Sequence, residues 1–90
     1  MSYIVYILRF SDNSLYIGQT KNLPDRLDDH RRRVSKAAKF TKDHGDFELV
    51  YQERYDSRVN SMRRERQLKR WARAKKEALI AGNKELLKKL

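Results

Sequence analysis

The arrangement of hydrophobic and polar residues at the start of the chain predicts a β-hairpin. Residues Tyr3 to Phe10 form a hydrophobic run interrupted only by Arg9, which is typical of a strand covered on both faces. Turn-forming residues occupy positions 11 to 14, and a strand pattern resumes from Leu15 to Thr20. We therefore expect two paired strands, with the first of them central in its sheet.

A helix is predicted after the hairpin, and a third strand after that helix. Asn22 is a suitable N-cap, and Asp25 favours the first turn of a helix that should run to about Lys36. From Phe47 to Tyr55, hydrophobic residues alternate with more polar ones. This segment should therefore be a half-exposed strand.

The remainder of the chain is predicted to be helical. Asp56 or Ser57 caps a second helix that reaches about Arg73, residues 74 to 81 continue in a helical pattern, and residues 84 to 90 form a last short helix. The order β-β-α-β-α-α predicts an α+β fold, in which helices pack on a three-stranded antiparallel sheet. Ninety residues allow one domain, which we expect to cover residues 1–90.

The composition indicates the cellular compartment in which the protein works. The chain has no cysteine, which excludes disulfides, zinc–thiolate sites and cysteine nucleophiles, and which suits a reducing compartment. The apolar segment at the N-terminus spans only about eight residues, too few for a signal peptide or a membrane span. We therefore expect a cytoplasmic protein that does not enter a membrane.

Positive charge is concentrated outside the first third of the chain. The formal net charge is +10, and because residues 1 to 30 carry more acids than bases, the excess lies in the rest of the chain. A clustered positive field attracts polyanions through counterion release, so nucleic acid is the expected partner. A solvated charged surface and an anionic membrane are the alternatives. Charge alone does not distinguish an enzyme from a binding protein.

A single acid lies among basic residues on the second predicted helix. At about 100° per residue, Glu65 falls in the middle of an apolar arc formed by Met62, Leu68 and Ala72. The positions around it are expected to be exposed and to bind nucleic-acid phosphates; they are Arg63, Arg64, Arg66, Lys69 and Arg70. A carboxylate on the core side needs a partner. That partner is either a salt bridge, for instance to Arg26 or Lys69, or a magnesium ion completed by waters and substrate phosphate.

The first predicted helix adds two further candidates. Leu23, Leu27 and His30 lie on its core side, with Arg26 at the edge. The planar guanidinium of Arg26 suits a phosphate, and the alternative is an ion pair with a neighbouring aspartate of the same helix. His30 is more often a hydrogen-bonded core residue than a catalytic one, although its ordinary pKa allows proton exchange near neutral pH.

The tyrosines of the predicted hairpin are the remaining candidates. Taken individually, Tyr6 and Tyr16 are typical packing residues with one solvated end. A phenol with a pKa of about 10 needs a nearby cation before it serves as a general base. A two-residue hairpin loop would place the two phenols on opposite sheet faces, whereas an odd number of loop residues would align them. A shared site therefore requires an odd loop or a bulge.

The joint spacing of these residues resembles that of the GIY-YIG nucleases. Ile4-Val5-Tyr6 and Tyr16-Ile17-Gly18 look like the paired elements for which the family is named, although Ile4 replaces the first glycine. The pattern YIG-x-T-x-N-x-x-x-R-x-x-x-H then continues through Arg26 to His30. The R-E-x-Q-L-K-x-W character from Arg64 to Trp71 is similar to a small single-domain subgroup of that family.

The resemblance implies hydrolysis of phosphodiester bonds in nucleic acid, with DNA favoured over RNA. It implies that Tyr6 and Tyr16 line the site, where Tyr6 helps to deprotonate a water, and that Arg26 contacts the scissile phosphate. It places His30 nearby, and it assigns one divalent ion, Mg²⁺ or Mn²⁺, to Glu65. These five residues are the predicted catalytic set.

Two other functions are compatible with the same composition. One is a non-catalytic nucleic-acid-binding module on the same scaffold, and the other is a protein-interaction domain. The sequence favours the nuclease, because a pure binder has no need for an acid beneath a basic surface. Relatives with defined targets carry a separate DNA-recognition domain that this sequence does not show. We therefore expect loose substrate choice or a protein partner that supplies specificity.

Overall fold

A three-stranded antiparallel sheet forms the centre of the molecule. The computed structural model describes residues 2–32 and 45–89. Its strands are β1 (Tyr3–Phe10), β2 (Leu15–Thr20) and β3 (Phe47–Tyr55), arranged in the order β2-β1-β3. The central position of β1 confirms the interpretation of its hydrophobic run.

The helices follow the predicted order and complete the α+β layout. Their bounds are α1, Leu23–Arg32; α2, Arg58–Arg70; α3, Arg73–Ala81; and α4, Lys84–Lys89. The predicted continuation of α1 to residue 36 lies outside the described residues. No helix in the described ranges has the length and hydrophobicity needed to cross a membrane.

The caps of α1 and α2 are the predicted ones. The Asn22 side chain accepts a hydrogen bond from the Asp25 backbone N–H at 3.2 Å, and the Ser57 side chain accepts one from the Asn60 N–H at 3.1 Å. The predicted end of α2 at residue 73 is wrong. The helix ends at Arg70, because the following residue has extended backbone with a ψ of 145°.

Phe10 and Ser14 form the closing pair of the hairpin between β1 and β2, so the loop inside this pair contains three residues, 11 to 13. The Phe10 N–H donates to the Ser14 carbonyl at 2.9 Å, and the Asn13 N–H donates to the Phe10 carbonyl at 2.8 Å. Asn13 adopts a left-handed conformation with φ of 71°, which closes this type of loop. The odd count aligns the strands so that Tyr6 faces Gly18 and Leu8 faces Tyr16. Both phenols therefore lie on the same face of the sheet.

The two faces of the sheet carry separate hydrophobic clusters. On one face, Leu23 and Leu27 of α1 pack on Tyr6, Leu8 and Phe10. On the other face, Leu68 of α2 packs against the second cluster of buried strand residues, which are Val5, Ile7 and Ile17. Because β1 is covered on both sides, its residues 5 to 8 are almost completely excluded from solvent.

The face that α2 presents to the sheet differs from the predicted apolar arc. Met62 is 38% exposed, and Ala72 lies beyond the helix, whereas Ser61 and Leu68 are fully buried. Ser61 is tolerated there because its hydroxyl donates to the Arg58 carbonyl at 2.8 Å and contacts Gln19 Oε1 at 3.2 Å. Glu65 lies about 40° from Ser61 and about 60° from Leu68 in helical phase, so this half-buried residue lies at the edge of the face that α2 presents to the sheet.

An ion pair ties the hairpin end of the sheet to α3. Arg9 of β1 donates to both carboxylate oxygens of Glu77, with 2.9 Å between Nη1 and Oε2. Arg73 donates to the same Oε2 at 3.0 Å and also to the Asn13 carbonyl. These contacts hold α3 against the hairpin loop.

Candidate active site

Tyr6, Tyr16 and His30 form a compact group, the Tyr–Tyr–His cluster, on the face of the sheet that α1 covers. The Tyr6 hydroxyl and His30 Nε2 lie 3.2 Å apart in a buried hydrogen bond. The ring centroids of Tyr16 and His30 are 5.1 Å apart, and those of the two tyrosines are 6.2 Å apart. Side chains from β1, β2 and α1 therefore meet at one place, as the predicted set requires.

Gly18 makes room for the two phenols. A Cβ atom at this position would lie 2.5 Å from the Tyr6 hydroxyl oxygen, 2.6 Å from Tyr6 Cζ and 3.0 Å from Tyr16 Cε1. These distances are shorter than carbon contacts in a packed interior allow. The glycine of the second motif element is thus required by the close approach of both rings.

Arg26 is a half-buried cation beside this cluster. It lowers the pKa of Tyr6, Tyr16 and His30, so its charge reaches all three groups. Within residues 2–32 and 45–89, no carboxylate oxygen lies within the 4 Å of an ion pair with its guanidinium. The alternative of an ion pair with a neighbouring aspartate of α1 is therefore not found. The guanidinium is available for an external anion.

Glu65 lies close enough to the cluster to affect its titration. Its charge raises the pKa of both Tyr6 and Tyr16. Its side chain is 23% exposed, and its ion pair is a long one, with 3.8 Å between Oε1 and Nζ of Lys69, which is itself 56% exposed. Such an exposed pair along a helix stabilises little. The carboxylate therefore remains accessible to a cation.

Burial governs the proton affinity of the cluster. It is the largest cause that raises the pKa of Tyr6 and of Tyr16, and it outweighs the lowering effect of Arg26. Arg26 alone therefore does not bring the pKa of either phenol toward neutral pH. Burial and Arg26 both lower the pKa of His30, so its imidazole is neutral near pH 7.

The described side chains could bind a metal ion at Glu65 in one arrangement only. Among the described residues, no three His, Cys, Asp or Glu side chains lie together in a way that could hold an ion. A magnesium or manganese ion at Glu65 would therefore have one carboxylate ligand and would take its other ligands from waters and phosphate oxygens. This is a normal arrangement for Mg²⁺, which keeps several waters.

The basic residues predicted on α2 differ in their availability. Arg63, Arg66, Lys69 and Arg70 are exposed, as expected for residues that bind nucleic acid. Arg64 is not exposed in this way: its side chain is held by the carboxylate of Glu53 on β3. The distances are 2.9 Å from Nε to Oε1 and 3.0 Å from Nη2 to Oε2. The predicted exposure of Arg64 is therefore wrong, because a carboxylate on the sheet binds its guanidinium.

This Glu53 site is a group of residues that the sequence analysis missed. Tyr51 and Tyr55 both donate to Glu53, the latter at 2.6 Å. Burial and these hydrogen bonds raise the pKa of each phenol to about 12. The alternation of β3 places all three residues on one face, and that was the available signal. Trp71 packs against the adjoining hydrophobic cluster.

Comparisons with known proteins bear on this arrangement. A sequence model described as the GIY-YIG catalytic domain matches residues 2–78. A UPF0213 protein of Natronomonas pharaonis is 42% identical over 77 residues, which cover 86% of this chain and 88% of that protein. A UPF0213 protein of Staphylococcus aureus is 40% identical over 79 residues, which cover 88% of this chain and 94% of that protein.

One solved structure resembles the whole chain. It is the solution NMR structure of a UPF0213 protein from Bacillus halodurans, which has 34% sequence identity and a TM-score of 0.59. The match covers 100% of this chain and 97% of that one. The three-stranded sheet with its packed helices is therefore shared with that protein.

Proposed function

Because this chain belongs to the GIY-YIG family, whose members are endonucleases, we propose that it is a metal-dependent endonuclease that hydrolyses phosphodiester bonds, with DNA preferred over RNA. One observation carries the proposal: the Tyr–Tyr–His cluster, an arginine that forms no ion pair with the described residues and an accessible carboxylate lie within electrostatic reach of one another. A polyanionic substrate also suits the net charge of +10, and the chain without cysteine suits the reducing cytoplasm in which we propose that it works.

In this proposal, each charged group has a distinct task. Arg26 binds the scissile phosphate and offsets charge on its non-bridging oxygens, for which a guanidinium offers paired donors. Glu65 provides the protein ligand for Mg²⁺ or Mn²⁺, which supplies charge stabilisation at the leaving oxygen when bound. Without such a cation, Glu65 would repel the substrate.

The Tyr6–His30 hydrogen bond provides a route for the proton of the attacking water. The water donates its proton to the Tyr6 oxygen while the Tyr6 proton moves to Nε2 of the neutral imidazole, 3.2 Å away. The water oxygen bonds to phosphorus as the bond to the leaving oxygen breaks, and the leaving oxygen takes a proton from solvent. His30 then releases its extra proton to solvent and is neutral again. Tyr6 never carries a net charge on this route, which agrees with its raised pKa.

Cleavage of plasmid DNA with Mg²⁺ or Mn²⁺ tests the proposal. We expect Glu65→Ala and Arg26→Ala to lower the cleavage rate by roughly 10²-fold or more, the usual effect of removing one electrostatic group from an active site. Glu85→Ala and Arg32→Ala are matched controls, because both side chains are exposed and lie outside the proposed site. Cleavage that persists in both folded site variants would exclude this site.

Binding without turnover would favour the second candidate function, a nucleic-acid-binding module. The exposed arginines of α2 support this alternative, since phosphate binding needs no catalytic group.

Paramagnetic broadening of NMR signals by Mn²⁺ tests the assignment of the metal ion to Glu65 independently of cleavage. We expect it near Glu65 in the wild-type protein and not in Glu65→Ala. Failure to broaden those signals would contradict the metal assignment.

A further inference from the structure

An open cleft of about 450 Å³ lies at the end of the sheet where β1 begins and β2 ends. Its wall includes Arg26, so the cleft adjoins the proposed catalytic site. Its lining includes Tyr3, Lys21, Asp25, Arg26, Asp29 and Arg58. Three segments that are distant in sequence therefore contribute to one concave surface.

Two exposed cations, Lys21 and Arg58, line this cleft. Among the described residues, no carboxylate oxygen lies within 4 Å of the charged groups of Lys21 or Arg58. Asp25 also lines the cleft, but it takes part in the cap of α1, where its carboxylate accepts from Asn22 Nδ2 at 2.9 Å. Lys21 and Arg58 are thus free to bind an external anion, as Arg26 is.

The position of the cleft along β2 relates it to the site of cleavage. Gly18 lies against both phenols, and Lys21 follows it by three residues, or roughly 10 Å of extended chain. Phosphates on one strand of a duplex succeed each other by about 3.4 Å along the axis. Because Lys21 and Arg26 line the same cleft, a strand whose scissile phosphate contacts Arg26 brings a phosphate one to three nucleotides away into reach of Lys21.

We propose that this cleft binds a phosphate of the substrate strand within three nucleotides of the scissile one, with Lys21 and Arg58 as its ligands. The inference rests on the proposed nuclease function and deepens it. Arg26, at the shared wall, contacts the scissile phosphate, and the cleft fixes the direction in which the strand leaves the site.

The salt dependence of DNA binding, measured without divalent ions, tests this assignment. The double variant Lys21→Ala, Arg58→Ala is compared with Lys84→Ala, Lys88→Ala, which removes the same charge from exposed positions on α4. Losing one phosphate contact should make the slope of log K against log[salt] shallower by about 0.9. We expect this change in the cleft variant, while the α4 variant keeps the wild-type slope.

Two results would overturn the proposal. One is an equal slope in the cleft variant and the α4 variant. The other is an NMR titration in which a trinucleotide causes no saturable shift of the Lys21 and Arg58 amide signals, or no larger one than inorganic phosphate does. Both measurements use binding alone, so they remain decisive if the wild-type protein proves not to cleave. If it cleaves, the cleft variant should raise KM several-fold and leave kcat within about twofold, because it removes uniform binding.

Discussion

Replacement of Gly18 by alanine is the sharpest test of how the candidate site is packed. The added methyl group would lie 2.5 Å from the hydroxyl oxygen of Tyr6 and 2.6 Å from its Cζ. Tyr6 is buried on the central strand and hydrogen-bonded to His30, so its ring has little space into which it can move. The ring must therefore rotate away from His30, or β1 and β2 must separate.

Three contributions determine how much Gly18→Ala should lower the free energy of unfolding. Overpacking of a tight interior costs about 1 to 3 kcal/mol. Loss of the Tyr6–His30 hydrogen bond adds about 1 kcal/mol. Alanine also reduces the conformational entropy of the unfolded chain, which stabilises the folded state by about 0.4 to 1 kcal/mol. A net loss of about 1 to 3 kcal/mol corresponds to a fall in Tm of roughly 5 to 20 °C for a domain of this size.

Thermal unfolding followed by circular dichroism measures this loss, and a double-mutant cycle locates its cause. In a Tyr6→Leu background the phenol is absent, so Gly18→Ala should cost less than half as much as it does in the wild type. The single variant should also lose cleavage while it remains folded at low temperature. Stability within about 0.5 kcal/mol of the wild type, with Tyr6 ring signals unchanged by NMR, would refute the close packing described here.

Two further predictions concern pH. The hydrogen bond from Arg9 is the largest cause that lowers the pKa of Glu77 to about 2, so this ion pair contributes stability above pH 4.5 and loses it as the pH falls toward 2. Glu77→Gln should therefore lower the free energy of unfolding at pH 7 by about 1 kcal/mol, a figure that allows for the exposure of the pair. The difference from the wild type should vanish near pH 2. Urea titrations that show the same difference at every pH would contradict this origin. The cleavage rate should rise with pH and level off below pH 6.5, because His30 must be neutral to accept the proton from Tyr6 and its pKa is lowered. Asp29→Asn should move that rise to lower pH, since Asp29 raises the His30 pKa, and a rise above pH 6.5 in the wild type would exclude the role of His30.

The elements that sequence patterns predicted well are those set by local chemistry. The hydrophobic run of β1 required cover on both sides, and the side chains of Asn22 and Ser57 cap their helices as predicted. The common face of Tyr6 and Tyr16 was left open by the sequence. It depends on the left-handed conformation of one loop residue, Asn13, which allows the loop between Phe10 and Ser14 to close with three residues and not two.

The incorrect predictions arose where a distant partner decides the outcome. Counting apolar residues gave Met62 a sheet-facing position, whereas Ser61 occupies it, with its hydroxyl donating to the Arg58 carbonyl and lying 3.2 Å from Gln19 Oε1 of β2. Arg64 was assigned to the exposed basic surface, but Glu53 of β3 binds it. A helical projection contains no information about which side chains the sheet offers, so neither result was available from the pattern of α2 alone.

One face of the sheet carries the candidate site and the other face positions α2. This arrangement explains how a small chain can bring several charged groups together. One face of β1 carries the Tyr–Tyr–His cluster, and α1 supplies Arg26 next to it. The other face fixes α2 through Leu68 and through the ion pair between Glu53 and Arg64. Glu65, one residue after Arg64, is thereby held within electrostatic reach of the phenols without a buried partner of its own. The carboxylate can remain accessible because neighbouring residues, and not the acid itself, position the helix that carries it.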